Sequence, residues 1–159
     1  MKNHSGAATL EDVSDLKDIE NVKGDETFTQ LRQGCDCTIL TYGILINQAL
    51  EAAELLHLQG IEARVVKLNT IAPLPEQETV AVLGREKRLL VLEECMSNGC
   101  VGQRLAAILT SCGCAPDKLL LTNLGDTIPC HGSISQLYTH CGLDAQSVAD
   151  ALEEACHEQ

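Results

Sequence analysis

The sequence predicts a three-layer α/β domain with a mainly parallel sheet, and two observations carry that expectation. From Cys37 to Val80 the chain runs as an apolar strand, a tight turn, an amphipathic helix and a second strand, then a proline-bearing loop that opens another helix. Downstream the alternation repeats, with apolar runs at RLLVLEE and KLLLTNL separated by helical periodicity. A strand–helix–strand crossover is almost always right-handed, so strands joined this way lie parallel with the helix on one face.

Residues 1–23 form an acidic tail, either frayed or an exposed helix in which Leu10, Val13, Leu16 and Ile19 recur on one side. The domain proper takes residues 24–159. ETFTQLR alternates as a short strand, and QGCD supplies the turn after it. If that turn is tight the chain reverses, which puts the first strand antiparallel at a sheet edge. CTILTY is a β-branched apolar run that stops at Gly43, as suits a buried strand turning into a helix. Leu45, Ala49, Ala52, Ala53 and Leu56 then recur at helical spacing, with Gln48, Glu51 and Glu54 on other faces. Gly60 closes this helix where a left-handed residue costs least, and EARVVKL follows as a strand.

Pro75 opens the next helix, Glu76 to Leu83, with Glu76 and Glu78 at its positive end. RLLVLEE has the apolar character of a central parallel strand and ends in Glu93 and Glu94. After the glycine-bearing turn CMSNGCVG, the positions Val101, Leu105, Ile108 and Leu109 give a helix an apolar face. CGCAPD breaks it, KLLLTNL is the last strand and GDTIPCHG is a loop. Ser133 and Gln136 form a capping box for a helix through Tyr138. Asp144 caps a final helix that packs through Val148, Ala151, Leu152 and Ala155.

Composition narrows the function classes. The formal charge is −12 and the eleven Lys and Arg are scattered, which argues against nucleic acid, because phosphate contacts need clustered cations. No apolar run is long enough to span a bilayer, and the N-terminus lacks the succession of a signal peptide, so the expected compartment is the cytoplasm with no membrane partner. Nine cysteines require weighing as ligands or disulfides. Cys35 with Cys37, Cys95 with Cys100, and Cys112 with Cys114 do not have the spacing of a zinc site, and cysteine at a core position behaves as a small hydrophobe. No metal is expected on this chain.

Open α/β sheets bind ligands beyond the carboxyl ends of their strands, where strand order reverses. Those ends carry Tyr42-Gly43, Asn69-Thr70, Glu93-Glu94 and Asn123 to Asp126. Tyr42-Gly43-Ile44-Leu45-Ile46 lacks the glycines of a dinucleotide fingerprint, and no Walker-type loop is present. Asn98 to Gly102 could offer amides to an anion, but two neighbouring glutamates oppose it. Adjacent strand residues point to opposite faces, so Glu93 and Glu94 do not share a proton, and a structural bond to a loop or partner chain is the favoured role. His131 follows Cys130, yet nothing brings a particular thiolate to it. No catalytic residue is assigned. The candidate contact or binding surface is Tyr42, Gly43, Glu94, Asn98, Asp126 and His131, a shallow polar patch rather than a closed pocket.

Taken in order, DCTILTYG, QALEAAELLHLQGIEARVVKLNTIAPLPEQ, RLLVLEE with GCVG, NLGDTIPCHGS and CGLDAQSVADAL resemble the C-terminal domain of transketolase-type thiamine-diphosphate enzymes. Within that group HGS at His131 to Ser133, with GLDAQSV at Gly142 to Val148, most resembles 1-deoxy-D-xylulose-5-phosphate synthase. The likeness spans about Glu26 to Ala155. Two loops depart from it: Gly99-Cys100-Val101-Gly102-Gln103 replaces a GG-x-G-S turn, and Thr127 or Ile128 stands where an aromatic is common.

The resemblance implies a five-stranded sheet with its first strand antiparallel, following two larger domains that hold thiamine diphosphate and Mg. Neither of those domains matches this sequence, so the chain alone is expected to bind no cofactor and to be inactive. Its implied partners are the catalytic domains or subunit of the same enzyme, as a homodimer in which this edge of the domain faces the rest of the enzyme. Its implied roles are packing, dimer assembly and regulation. The alternative is a free-standing effector-binding or protein-interaction module that kept the fold without the catalytic domains.

Overall fold

The computed structural model describes residues 27–126 and 131–158. The acidic tail therefore lies outside the described residues. Five strands form one sheet: β1 (Phe28–Arg32), β2 (Cys37–Thr41), β3 (Ala63–Leu68), β4 (Arg88–Leu92) and β5 (Lys118–Thr122), in the order β1-β3-β2-β4-β5. All neighbouring pairs are parallel except β1 with β3, which is antiparallel. The helices are α1 (Ile46–Leu58), α2 (Glu76–Leu83), α3 (Val101–Ser111), α4 (Ile134–Cys141) and α5 (Ala145–His157). This is the three-layer arrangement expected of alternating strands and helices.

Strand period decides which residue meets which layer. Ile39, Val65, Leu90 and Leu92 turn to one face and pack with Ala49, Ala52, Ala53 and Leu56 of α1 and with Val148, Ala149 and Leu152 of α5. Leu40, Val66, Leu68, Leu89 and Val91 turn to the other and meet Leu83 of α2 and Leu105 and Leu109 of α3. Each fully buried leucine here contributes about 2 kcal/mol from the apolar surface it removes from water. The alanines of α1 let that helix lie close to the sheet and to α5.

β1 occupies an edge in the antiparallel sense, but beside β3 rather than β2. The reason lies in the QGCD connection. The N–H groups of Cys35 and Asp36 both donate to the Glu62 carbonyl at 3.0 Å, and the Glu62 N–H donates to Asp36 Oδ2 at 2.7 Å. The connection thus crosses over the start of β3 before entering β2. A Cβ on Gly34 would lie 2.3 Å from the backbone of Ala63 and Arg64, so only glycine allows the crossing.

The helix signals match the local geometry. Gly60 is left-handed, with φ 82°. Ser133 and Gln136 form a reciprocal capping box, and Asp144 accepts from the Ser147 N–H at 3.2 Å. α4 runs one turn beyond Tyr138, to Cys141.

Candidate functional site

Strand order reverses between β2 and β4, because β2 leads by α1 to β3 on one side while β4 leads by α3 to β5 on the other. The carboxyl ends of β2 and β4 therefore adjoin. Thr41 pairs with Leu92 in the register, and its hydroxyl donates to the Leu92 carbonyl at 2.9 Å.

The group at the centre of this crevice is Glu93, which is fully buried. Its Oε1 accepts the Tyr42 hydroxyl at 3.0 Å and the Val101 N–H at 2.9 Å, and its Oε2 accepts the Gly102 N–H at 2.9 Å. A carboxylate at a helix amino end satisfies orphan N–H groups and meets the favourable end of the helix dipole. The anion that α3 could accept is therefore supplied by the chain itself. A Cβ on Gly102 would lie 2.9 Å from Glu93 Oε2 and 2.6 Å from Leu121 Cδ2, so the close approach of α3 requires glycine there. Burial, reinforced by the Glu93 carboxylate, pushes the Tyr42 hydroxyl above its ordinary value. Burial likewise raises the thiols of Cys95 and Cys100 beside it.

β4 ends at Leu92, short of the RLLVLEE run expected as strand, and Glu94 lies in the bend after it and points away from Glu93. It is exposed and accepts the Tyr138 hydroxyl at 3.1 Å, which ties α4 to the end of β4. Burial first, and then Glu94, raise Tyr138 to about 12. Asp126 accepts from the Ser97 hydroxyl and, at 3.5 Å, from Asn98 Nδ2. The Ser97 N–H donates to the Gly125 carbonyl and the Leu124 N–H to the Cys95 carbonyl, so the loops after β4 and β5 lie against each other.

Of the six surface residues expected from the sequence, Tyr42, Gly43 and Glu94 lie at the carboxyl ends of the two adjoining strands, and Asn98 and Asp126 are bonded to each other. His131 is exposed and makes no hydrogen bond to the other five. Residues 127–130, with Cys130 and the loop departure at Thr127 or Ile128, lie outside the described residues. Two residues that organise the crevice, Glu93 and Tyr138, are absent from that expected set. The available signals were an acid closing an apolar run eight residues before a helix, and one of only two tyrosines, placed mid-helix behind a capping box.

A second concavity, of about 560 Å³, lies at the amino ends of the strands and is lined by Gln30, Gln33, Gly34, Cys35, Glu62, Arg64 and Glu86. Its Arg64 guanidinium is already engaged, by Gln30 at 2.7 Å, the Val82 carbonyl at 3.0 Å and Glu86 at 2.6 Å. Among the described residues no group of three or more His, Cys, Asp or Glu is placed to hold a metal ion. No helix among them is long and apolar enough to cross a membrane.

Residues 27–148 match the family described as "Transketolase, C-terminal domain". Among curated relatives, 1-deoxy-D-xylulose-5-phosphate synthase of Geobacillus thermodenitrificans is 32% identical over 127 residues, 80% of this chain and 20% of the relative. The synthase of Heliobacterium modesticaldum is 33% identical over 126 residues, 78% of this chain and 19% of the relative. The chain thus spans about a fifth of the length of these relatives. Among solved structures, one described as "Split gene transketolase, inactive beta4 tetramer" superposes with a TM-score of 0.69 at 28% identity, covering 81% of this chain and 42% of that one. Transketolase from Pichia stipitis, at 19% identity and a TM-score of 0.61 over 84% of this chain and 18% of that one, shares the fold.

Proposed function

Because the chain belongs to the transketolase C-terminal domain family, we propose that it is the non-catalytic C-terminal domain of a thiamine-diphosphate-dependent transferase of the 1-deoxy-D-xylulose-5-phosphate synthase or transketolase type. It works by packing against the catalytic portion and supporting dimer assembly of the whole enzyme, in the cytoplasm. The observation that carries this reading is the alignment of most of this chain with only a fifth of a synthase, the remainder of which lies outside the match.

The residues here do not fit the cofactor of such an enzyme. The amino end of α3 is filled by the Glu93 carboxylate, which leaves no place for a diphosphate at the Val101 and Gly102 amides. No step of the transfer is therefore assigned to residues of this chain.

Calorimetric titration of the purified chain with thiamine diphosphate and Mg²⁺, beside an assay for the synthase and transketolase reactions, tests the reading. The expected result is neither binding nor turnover by the chain alone. Micromolar binding of the cofactor, or turnover without an added partner, overturns it.

A further inference from the structure

Three elements meet at the amino end of β2. Cys37 is the first residue of that strand, is 2% exposed, and belongs with Ile39 to the core face that packs on α1 and α5. Thr38 pairs with Leu89 in the parallel register, so Arg88, the first residue of β4, stands beside Cys37 and, two positions before Leu90, turns to the same face. Arg88 Nε donates to the Ala155 carbonyl at 2.9 Å, which holds the last turn of α5 on the two strand starts. The next residue is Cys156, partly buried against the same core cluster, and its thiol meets that of Cys37.

The surroundings give the two thiols different roles. Burial raises both, Cys37 up to about 12, and the Asp36 carboxylate adds to this, while the Arg88 guanidinium opposes it at each sulfur. The Cys37 thiol also favours the Cys156 thiolate, by donating to it. Cys37 is closed to solvent and Cys156 is not, so an oxidant meets Cys156 first, with a second thiol already in place beside it.

We propose that Cys37 and Cys156 are a redox couple, which hydrogen peroxide closes to a disulfide that fastens α5 to the start of β2. The Cys156 sulfur attacks one peroxide oxygen and breaks the O–O bond, giving a sulfenic acid and one water. The Cys37 sulfur then attacks the Cys156 sulfur and breaks its S–O bond, and the hydroxide leaves with the Cys37 proton as a second water. One peroxide is reduced by two electrons, two thiols are oxidised to one S–S bond, and a small dithiol reverses the step by exchange. In the reduced chain the last turn of α5 is held by Ala155 in the core, by the Arg88 bond and by the half-exposed Lys118–Glu158 ion pair, a weak contact in water. Oxidation adds a covalent tie. It closes a loop that takes in most of the chain, the case in which a crosslink restricts the unfolded state most. The couple does not depend on the transferase reading above.

The reduced full chain, treated with hydrogen peroxide, alkylated in denaturant without reductant and cut with trypsin and Asp-N protease, tests this by mass spectrometry. Cleavage before Asp36 separates Cys37 from Cys35. The expected product links the Cys37 fragment to the Cys156 fragment, and the oxidised chain melts about 10 °C higher until dithiothreitol is added. Cys156→Ser should lose both the link and the rise, while Cys141→Ser, which packs on the same cluster, keeps them. Absence of the link overturns the couple, whether Cys156 stays a thiol, is carried to sulfinic acid or is joined to another cysteine, and so does a rise that persists in Cys156→Ser. A Cys37–Cys156 link that leaves the melting midpoint where it was overturns the fastening of α5.

Discussion

The Tyr42 hydroxyl donates to Glu93 Oε1 at 3.0 Å, joining the end of β2 to the end of β4 where strand order reverses. The same carboxylate holds the first two N–H groups of α3, so one buried anion fixes three elements.

Replacing that anion exposes its worth. In Glu93→Ala the Val101 and Gly102 amides and the Tyr42 hydroxyl lose their acceptor in a site closed to water, which should cost about 3 kcal/mol. Tyr42→Phe removes one bond and leaves the helix cap, at about 1 kcal/mol. Urea unfolding of both variants and of the pair measures the coupling; strict additivity would mean the hydroxyl and carboxylate do not act together.

Gly102→Ala should destabilise by about 2 kcal/mol, the usual range for an overpacked contact. Leu121 is partly exposed and can swing aside, but Glu93 Oε2 at 2.9 Å is held by its own bonds. Adding Leu121→Ala should therefore recover only part of the loss. Full recovery would show that Leu121 alone resists the new methyl group.

Both tyrosines of the chain hold their protons more tightly than free tyrosine, because of burial and the carboxylate beside each. Below about pH 10, folded and unfolded chains alike keep the proton and this contribution is intact. It is lost as pH rises through the raised folded values, about 12 for Tyr138 and higher for Tyr42. Ultraviolet titration should show no tyrosinate at the ordinary pKa, and ionisation that coincides with unfolding followed by circular dichroism. Tyr138→Phe should soften the alkaline loss of stability.

Thiol reactivity should follow burial. Cys35 is exposed, whereas burial, with Cys156 alongside, pushes Cys37 up to about 12. In the native chain a disulfide reagent such as Ellman's is expected to reach Cys35 early and Cys37 last, with nine thiols released on denaturation. A Cys35→Ser chain that keeps the full fast phase would contradict this order.

The two helix caps give a local test. Ser133→Ala removes the side-chain half of the capping box, and Asp144→Ala removes the acceptor for Ser147, each at about 1 kcal/mol. α4 exposes most of its surface, so Ser133→Ala should raise amide exchange within α4 before it lowers global stability.

What the residues determine by themselves is local. Gly60 in a left-handed turn, Ser133 with Gln136, Asp144, Pro75 ahead of Glu76 and the apolar runs of β2 and β4 each act within a few positions, and each element appears where its own sequence puts it. The family was also legible, because its motifs keep their order along the chain. Tertiary structure decided the rest. β1 lies beside β3 because the connection through Gly34 crosses the start of β3, a contact between segments nearly thirty residues apart. Glu93, and not Glu94, became the buried pivot because the packing of α3 and α4 at the end of β4 set one carboxylate against the α3 amides and the other against Tyr138. Tyr42 and Tyr138 found their partners 51 and 44 positions away. Hydrogen-bond partners at such separation depend on how layers stack, and no local pattern encodes which of two neighbouring acids the stacking will bury.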